Sequence, residues 1–313
     1  MPKRCAGVNV AMLTPLHDSG AIDAQGLAAL AGWLLANGSD GLVLFGTTGE
    51  ATSFSLEERE NALDELLSRG VPAGRLMVGT GCCAVPDTVR LSRHAVDRGC
   101  AGVLMVPPFY FKDVTDEGLY SAYAAVIDGV AHADLRIYLY NIPQISGVSV
   151  SKGLIGRLLK SYPAQIAGIK DSSGNLENML DMIGRFPELA VLSGDDHFLL
   201  PLLQAGGVGA VSALGNLTPK PLHAICASWR DDETDLQRMQ GAVKYLWADV
   251  LLQYPVTEGL KEILAAKTEN VRWLNMRPPL SRLTQKQRES LVRAFDASIF
   301  EVSPSHKTML SEG

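Results

Sequence analysis

The sequence predicts a closed (β/α)8 barrel, a TIM barrel, followed by a C-terminal helical extension. Three observations predict it. Short apolar runs alternate with amphipathic stretches eight times between residues 8 and 229. Strict alternation of this kind implies a parallel sheet with right-handed crossovers, and eight units favour closure. The segment after the first run carries no Gly-x-Gly-x-x-Gly turn, which an open nucleotide-binding sheet would usually show there.

The elements follow in order. Residues 8–13 form the first predicted strand, and residues 25–37 a helix ended by Gly38. A strand at 42–45 leads to a helix at 56–69, where Ser55 and Glu58 have the spacing of a capping box. A strand at 76–78 precedes a helix at 87–98 that stops at Gly99. The strand at 102–106 is broken by Pro107-Pro108, and a helix covers 116–127. The strand at 136–140 is stopped near Pro143 and followed by a helix at 152–161. Strands at 166–170, 190–192 and 208–212 are paired with helices at 176–185, 198–204 and 219–229.

An acidic break, Asp231-Asp232-Glu233, separates this pattern from helical periodicity at 236–251, 257–266 and 285–301. The expected organisation is a barrel over residues 1–232 carrying the active site and a helical bundle over 233–313. Arg277-Pro278-Pro279-Leu280 interrupts that bundle, and the tail from Ser303 is expected to be loosely ordered.

Composition narrows the function. The 313 residues are 47% hydrophobic and 20% charged, enough for a large core. The net charge is -6 and no block of Lys or Arg accumulates, so there is no footprint for nucleic acid or an anionic membrane. No apolar stretch approaches a bilayer span, and the first residues lack the apolar core of a signal peptide. The five cysteines (Cys5, Cys82, Cys83, Cys100 and Cys226) contain no Cys-x-x-Cys motif and read as reduced thiols of a cytoplasmic protein. The six histidines are scattered in no metal-ligand spacing, so no metal is expected.

Barrel enzymes build their sites at the C-terminal ends of strands, so each predicted strand end is a candidate. Strand six is apolar and closes on Lys170. An ammonium at the rim of a core is disfavoured by desolvation, and a free amine there attacks ketones to form a Schiff base. Ile166, Gly168 and Lys170 share a face, with Gly168 leaving space beside the lysine. Strand two ends in Gly46-Thr47-Thr48-Gly49-Glu50, whose backbone N–H groups could hold a carboxylate or whose threonines could cap a turn. Strand four ends in Pro107-Pro108-Phe109-Tyr110, a rigid corner or an aimed phenol. On strand five Tyr138 and Tyr140 share a face, as core tyrosines or proton relays. Strand seven ends in Ser193-Gly194-Asp195-Asp196-His197. These adjacent carboxylates could bind hydroxyls, and at least one is expected to cap the next helix. The glycines around Val208 could form a phosphate cup, although no basic residue is near in sequence.

Taken together, Gly-Thr-Thr-Gly-Glu, Pro-Pro-x-Tyr, Tyr-Asn-Ile-Pro, Gly-Ile-Lys-Asp-Ser and Ser-Gly-Asp-Asp-His fall on strands two, four, five, six and seven. This pattern resembles the dihydrodipicolinate synthase / N-acetylneuraminate lyase family of class I aldolases, over essentially the whole chain. The resemblance implies a homotetrameric barrel that binds a 2-oxo acid such as pyruvate through a lysine imine, without a cofactor. It implies Lys170 as the Schiff-base lysine, Tyr140 as the proton-shuttling phenol and Thr47 as its relay. Thr47 and Thr48 would cradle the carboxylate; Tyr110 would reach across a subunit interface; Val211 would line the pocket. Gly46 and Gly194 are further substrate-binding candidates, and the aldehyde side is expected to depend on Ile145, Ser146, Asp196 and His197.

Departures from the family bear on the substrate. Dihydrodipicolinate synthases usually place an arginine two residues after the proline of Tyr-Asn-x-Pro, to hold the semialdehyde carboxylate. Here that residue is Ile145, which cannot replace a bidentate guanidinium. Sialate lyases usually show Asp-Glu after the strand-seven glycine and a serine after strand eight, where this chain has Asp196-His197 and Ala213. The Ile142-Pro143-x-x-Ser146-Gly147 form is closer to sialate lyases and sugar-acid aldolases, and the remainder most resembles 2-keto-3-deoxy sugar-acid aldolases, which implies pyruvate-releasing cleavage of a 2-keto-3-deoxy sugar acid. The rival readings are condensation of pyruvate with aspartate semialdehyde, dehydration or deamination of a related 2-oxo acid by the same imine chemistry, and a binding protein that has lost turnover. The aldehyde partner, the stereochemistry and the direction in the cell lie beyond the sequence.

Overall fold

The computed structural model describes residues 5–230, 233–307, 309 and 310. Its centre is a closed parallel barrel in the strand order β1 to β8. The strands are β1 Gly7–Ala11, β2 Gly41–Leu44, β3 Leu76–Gly79, β4 Gly102–Met105, β5 Ile137–Asn141, β6 Ile166–Asp171, β7 Ala190–Ser193 and β8 Gly209–Ser212. Closure is made by β1 on β8, with Val8 opposite Ala210 and Val10 opposite Ser212. The strands are buried almost throughout. Sheets covered on both faces read as continuous apolar runs, and that is why the strands were so legible.

Outside the barrel lie α1 Ala24–Ala36, α2 Leu56–Ser68, α3 Val85–Asp97, α4 Asp116–Val130, the short α5 Pro143–Ser146, α6 Lys152–Ser161, α7 Leu176–Arg185, α8 Leu199–Gln204 and α9 Pro219–Ser228. The capping box of α2 is present, with Ser55 and Glu58 each bonding the other's backbone N–H. Two apolar clusters result. A small one fills the barrel interior with Ala11, Val43, Met77, Leu104, Tyr138, Tyr140, Leu192 and Val211. The large one lies between strands and helices and continues without a break into the C-terminal helices.

Those helices are α10 Glu233–Lys244, which runs on as π-helix over Tyr245–Val250, then α11 Val256–Thr268 and α12 Gln285–Asp296. α12 stops short of the predicted residue 301; Ala297 caps it by donating to the Arg293 carbonyl. α11 is buried on nearly all sides, including Lys261 and Glu262. The expected boundary residues 231 and 232 lie outside the described residues.

The tail corrects an expectation. It docks instead of hanging free as far as residue 310. His306 is fully buried, 4.0 Å from the ring of Trp33, with its Nε2 3.1 Å from the Asn216 carbonyl oxygen. Met309 and Leu310 are buried, and Asn270 Nδ2 donates to the Leu310 carbonyl at 3.3 Å. A few apolar anchors hold the segment although its composition is polar. Residues 308 and 311–313 of the expected tail lie outside the described residues.

Candidate active site

The site forms where β5 and β6 run side by side. Their ladder sets Tyr140 opposite Lys170. Neighbouring strands lie about 4.8 Å apart, so in-register residues of one face project together. Both side chains are 5% exposed. Lys170 Nζ donates to the Tyr140 phenol at 3.2 Å and stands 4.3 Å from the centre of its ring. The phenol oxygen is in turn 3.2 Å from Thr47 Oγ1. An amine, a phenol and an aliphatic hydroxyl thus form one chain that ends at the exposed Thr47. Such a chain can carry a proton between a reacting carbonyl carbon and solvent.

The Thr47 turn owes its shape to close backbone packing. Phe45 and Glu50 both adopt left-handed backbone angles, with φ of 56° and 57°. Gly79 lets the strand beside it approach: a Cβ there would lie 2.0 Å from the Phe45 carbonyl oxygen. Gly46, by contrast, faces room, since a Cβ would meet nothing nearer than Val43 Cγ1 at 3.9 Å. Thr48 is buried while Thr47 is open.

The other predicted residues divide. Val211 is fully buried in the barrel interior with Tyr140. Tyr110 is 74% exposed and stacks edge-on against Phe111, which is 72% exposed. Neither aromatic reaches Lys170 within this chain by any hydrogen bond or ring contact. Ile145 is 62% exposed on α5. Its neighbour Ser146 is spent internally, donating to the Ile142 and Val148 carbonyls at 3.0 and 2.8 Å.

The β7 end corrects one reading. Neither carboxylate there caps the helix that follows it. Asp195 Oδ1 accepts from the indole N–H of Trp247 at 3.3 Å. Asp196 is completely buried, and its Oδ2 accepts from the Leu214 N–H at 3.2 Å. Burial pushes the Asp196 carboxyl up to about 6, against the opposing pull of Ser212 and Leu214. It raises Asp195 as well, and lowers His197. Gly194 serves packing: a Cβ would fall 1.8 Å from Ser172 Oγ. These groups brace the strand ends from inside.

Two further expectations change. The space at Gly168 is filled by the Tyr138 ring, 2.7 Å from where a Cβ would sit, and not by the lysine stem. The glycines of β8 form no phosphate cup. Gly209, at the opposite end of the strand from Lys170's rim, packs against the Gly7 carbonyl, 2.0 Å from a would-be Cβ.

Sequence reasoning missed the support under the Thr47 turn. Glu50 and Lys261 form an ion pair whose side chains are 0% exposed. Arg277 donates its backbone N–H to Glu50 at 3.2 Å and pairs with Glu58 through its guanidinium. That guanidinium holds the Glu58 carboxyl down at about 2. The chain offers no clear signal for it, since Lys261 stands between Glu258 and Glu262 as in an ordinary charged helix face. Asn141 and Asp171 were also unassigned. Asn141 Oδ1 accepts from Val150 N at 3.0 Å, and Asp171 Oδ1 from Ser173 N at 2.7 Å, tying down the loops after β5 and β6.

Among the described residues, no group of three or more His, Cys, Asp or Glu side chains is placed to hold a metal ion, and no helix is long and apolar enough to cross a membrane. All five cysteines are free.

Comparison with known proteins agrees with this geometry. A sequence model of the "Dihydrodipicolinate synthetase family" matches residues 4–298. An "Uncharacterized DapA-like lyase" of Chloroflexus aurantiacus is 33% identical over 95% of this chain and 98% of its own. The crystal structure of dihydrodipicolinate synthase from Agrobacterium tumefaciens superposes with a TM-score of 0.87 at 32% identity, covering 94% of this chain and 99% of that one. YagE, an Escherichia coli K12 prophage protein of the same family in complex with pyruvate, gives 0.80 at 28% identity, over 93% of this chain and 97% of that one.

Proposed function

This chain belongs to the dihydrodipicolinate synthetase family and is a pyruvate-dependent, Schiff-base-forming lyase; from that premise we propose that it cleaves a 2-keto-3-deoxy sugar acid to pyruvate and an aldehyde. The observation that carries the reading is the chain Lys170 Nζ, Tyr140 Oη, Thr47 Oγ1, each step 3.2 Å, which runs from two buried side chains to an exposed one.

In the proposed cycle the Lys170 amine attacks the C2 ketone, and loss of water gives the iminium. The Thr47-Thr48 turn, with Gly46, holds the carboxylate. Tyr140 takes the proton of the C4 hydroxyl. The C3–C4 bond breaks, its electrons move into the iminium, and the aldehyde leaves. The enamine is protonated at C3 through Tyr140, and water releases pyruvate and restores the amine. The chemistry needs no metal or organic cofactor.

The substrate side rests on Ile145. An apolar residue there offers no bidentate partner to a second carboxylate, which favours a neutral polyol aldehyde over aspartate semialdehyde. The exposure of Tyr110 and Phe111 supports the further reading that the enzyme works as a homotetramer in which Tyr110 enters a neighbour's site; a cytoplasmic location is part of the same proposal.

The test is direct. Incubation with pyruvate and borohydride is expected to give a stable mass increase on Lys170. A panel of 2-keto-3-deoxy sugar acids is then expected to release pyruvate faster than pyruvate and aspartate semialdehyde condense. An unmodified lysine would refute the imine; faster condensation would assign the synthase activity instead.

A further inference from the structure

The turn that faces the 2-oxo acid is fastened to a part of the chain that contributes nothing to the site. Lys261, on α11, has its Nζ 3.2 Å from the Thr14 carbonyl and 2.6 Å from the Asn275 carbonyl, and it also donates to Glu50 Oε1. All three ammonium protons are therefore used. Glu50 is the last residue of the Gly-Thr-Thr-Gly-Glu turn, and its backbone N–H donates to the Thr47 carbonyl at 3.0 Å. Its second carboxylate oxygen accepts from Arg277 N at 3.2 Å. Two more bonds join the same parts: Thr14 Oγ1 to the Gly49 carbonyl at 2.8 Å, and Thr257 Oγ1, also from α11, to the Thr48 carbonyl at 3.4 Å.

A buried ion pair is rarely worth its desolvation as a source of stability, and neutral replacements often fold as well. Its value is geometric: two buried charges tolerate few arrangements. Here one of them sits on the turn, held in a left-handed conformation at φ 57°. We propose that Lys261 is a positioning residue for the 2-oxo acid: with Glu50 it fixes the Thr47-Thr48 turn, so that the C-terminal extension sets affinity for the substrate carboxylate. The proposal rests on the reading of that turn as the carboxylate cradle.

The test follows borohydride trapping of the full-length protein across pyruvate concentrations. The informative variant is the double Glu50→Gln/Lys261→Met, which removes both charges and leaves neither unpaired. A misplaced binding group costs affinity first, so half-maximal trapping is expected to need about tenfold more pyruvate. The rate at saturation is expected to fall less than the half-saturation rises, because the Lys170–Tyr140 pair is untouched and only the Thr47 end of the proton chain moves with the turn. A folded double variant with unchanged half-saturation would overturn the proposal. So would an equal loss of both parameters, or a double variant that does not fold, which would assign the pair to folding alone. Thr48→Val separates the two levels. If wild type is trapped and Thr48→Val shifts half-saturation while the double variant does not, this inference alone fails. If wild type is not trapped, or Thr48→Val shifts nothing, the cradle reading fails and takes the inference with it.

Discussion

The two halves of the barrel mouth are built differently. At β5 and β6 the proposed reacting groups, Tyr140 and Lys170, come from the strands themselves, in register, and the turn beside them is tied down by a buried ion pair. At β7 and in the loop after β5, the polar groups face inward: Asp195 on Trp247, Asp196 on Leu214, Ser146 on its own loop. The large apolar side chain exposed there is Ile145, with Gln144 exposed beside it. The half proposed to make the imine has its geometry set by the sheet. The half proposed to meet the aldehyde presents no arginine at position 145, and its exposed side chains come from a loop, not from a strand.

Removing Lys170 should break the comparison most completely. Lys170→Ala is expected to abolish the borohydride adduct and reduce pyruvate release to background, with unchanged circular dichroism. Tyr140→Phe keeps the amine but cuts the proton chain. It should lower kcat by about 10²–10⁴-fold, the usual value of a positioned acid-base group, while the adduct still forms slowly. A steady-state assay beside a trapping assay separates the two effects.

The β7 side can be tested by pH. Asp196 holds its proton up to about 6 in the folded protein, above the ordinary carboxyl range. Its contribution to stability is therefore full below about 4 and is lost as pH rises through 6, by on the order of 2–3 kcal/mol. Urea midpoints at pH 5 and pH 8 should accordingly differ less in Asp196→Asn than in wild type. An equal pH dependence in both would show that this carboxyl is not the brace described above. The smallest effect is expected at the exposed position. Ile145→Arg offers a guanidinium to a second carboxylate, and a charge-assisted hydrogen bond discounted for exposure gives roughly tenfold in kcat/KM toward aspartate semialdehyde. No change, or a change toward neutral aldehydes, would show that position 145 does not face the aldehyde.

Much of this was legible in the chain, and the reason is physical. A parallel barrel strand is buried on both faces, so the run Gln165-Ile166-Ala167-Gly168-Ile169 announces itself, and the lysine that ends it stands out. Period two then puts Tyr138 and Tyr140 on one face, and the observed ladder only had to place Tyr140 opposite Lys170. Contacts between distant segments were not legible. Nothing near Asp195 predicts that an indole 52 residues away takes its carboxylate in place of the next helix. Nothing near Gly168 says that a tyrosine from the adjacent strand fills the gap. The tail failed for a related reason. Its polar composition suggests disorder, but His306 finds two tryptophan rings and a carbonyl in a groove of the barrel.

The reach of Lys261 has a consequence for biosynthesis. Its contact with Thr14 spans 247 residues, and that with Glu50 spans 211. Contacts so remote along the chain form late, after the loops between them have closed. On a ribosome the first half of the barrel would therefore wait, its Thr47 turn unfastened, until α11 had left the exit tunnel. On the proposal above, a nascent chain cut short before that helix would carry Lys170 and Tyr140 without the pair that fixes the Thr47-Thr48 turn, and would need more 2-oxo acid to fill its site.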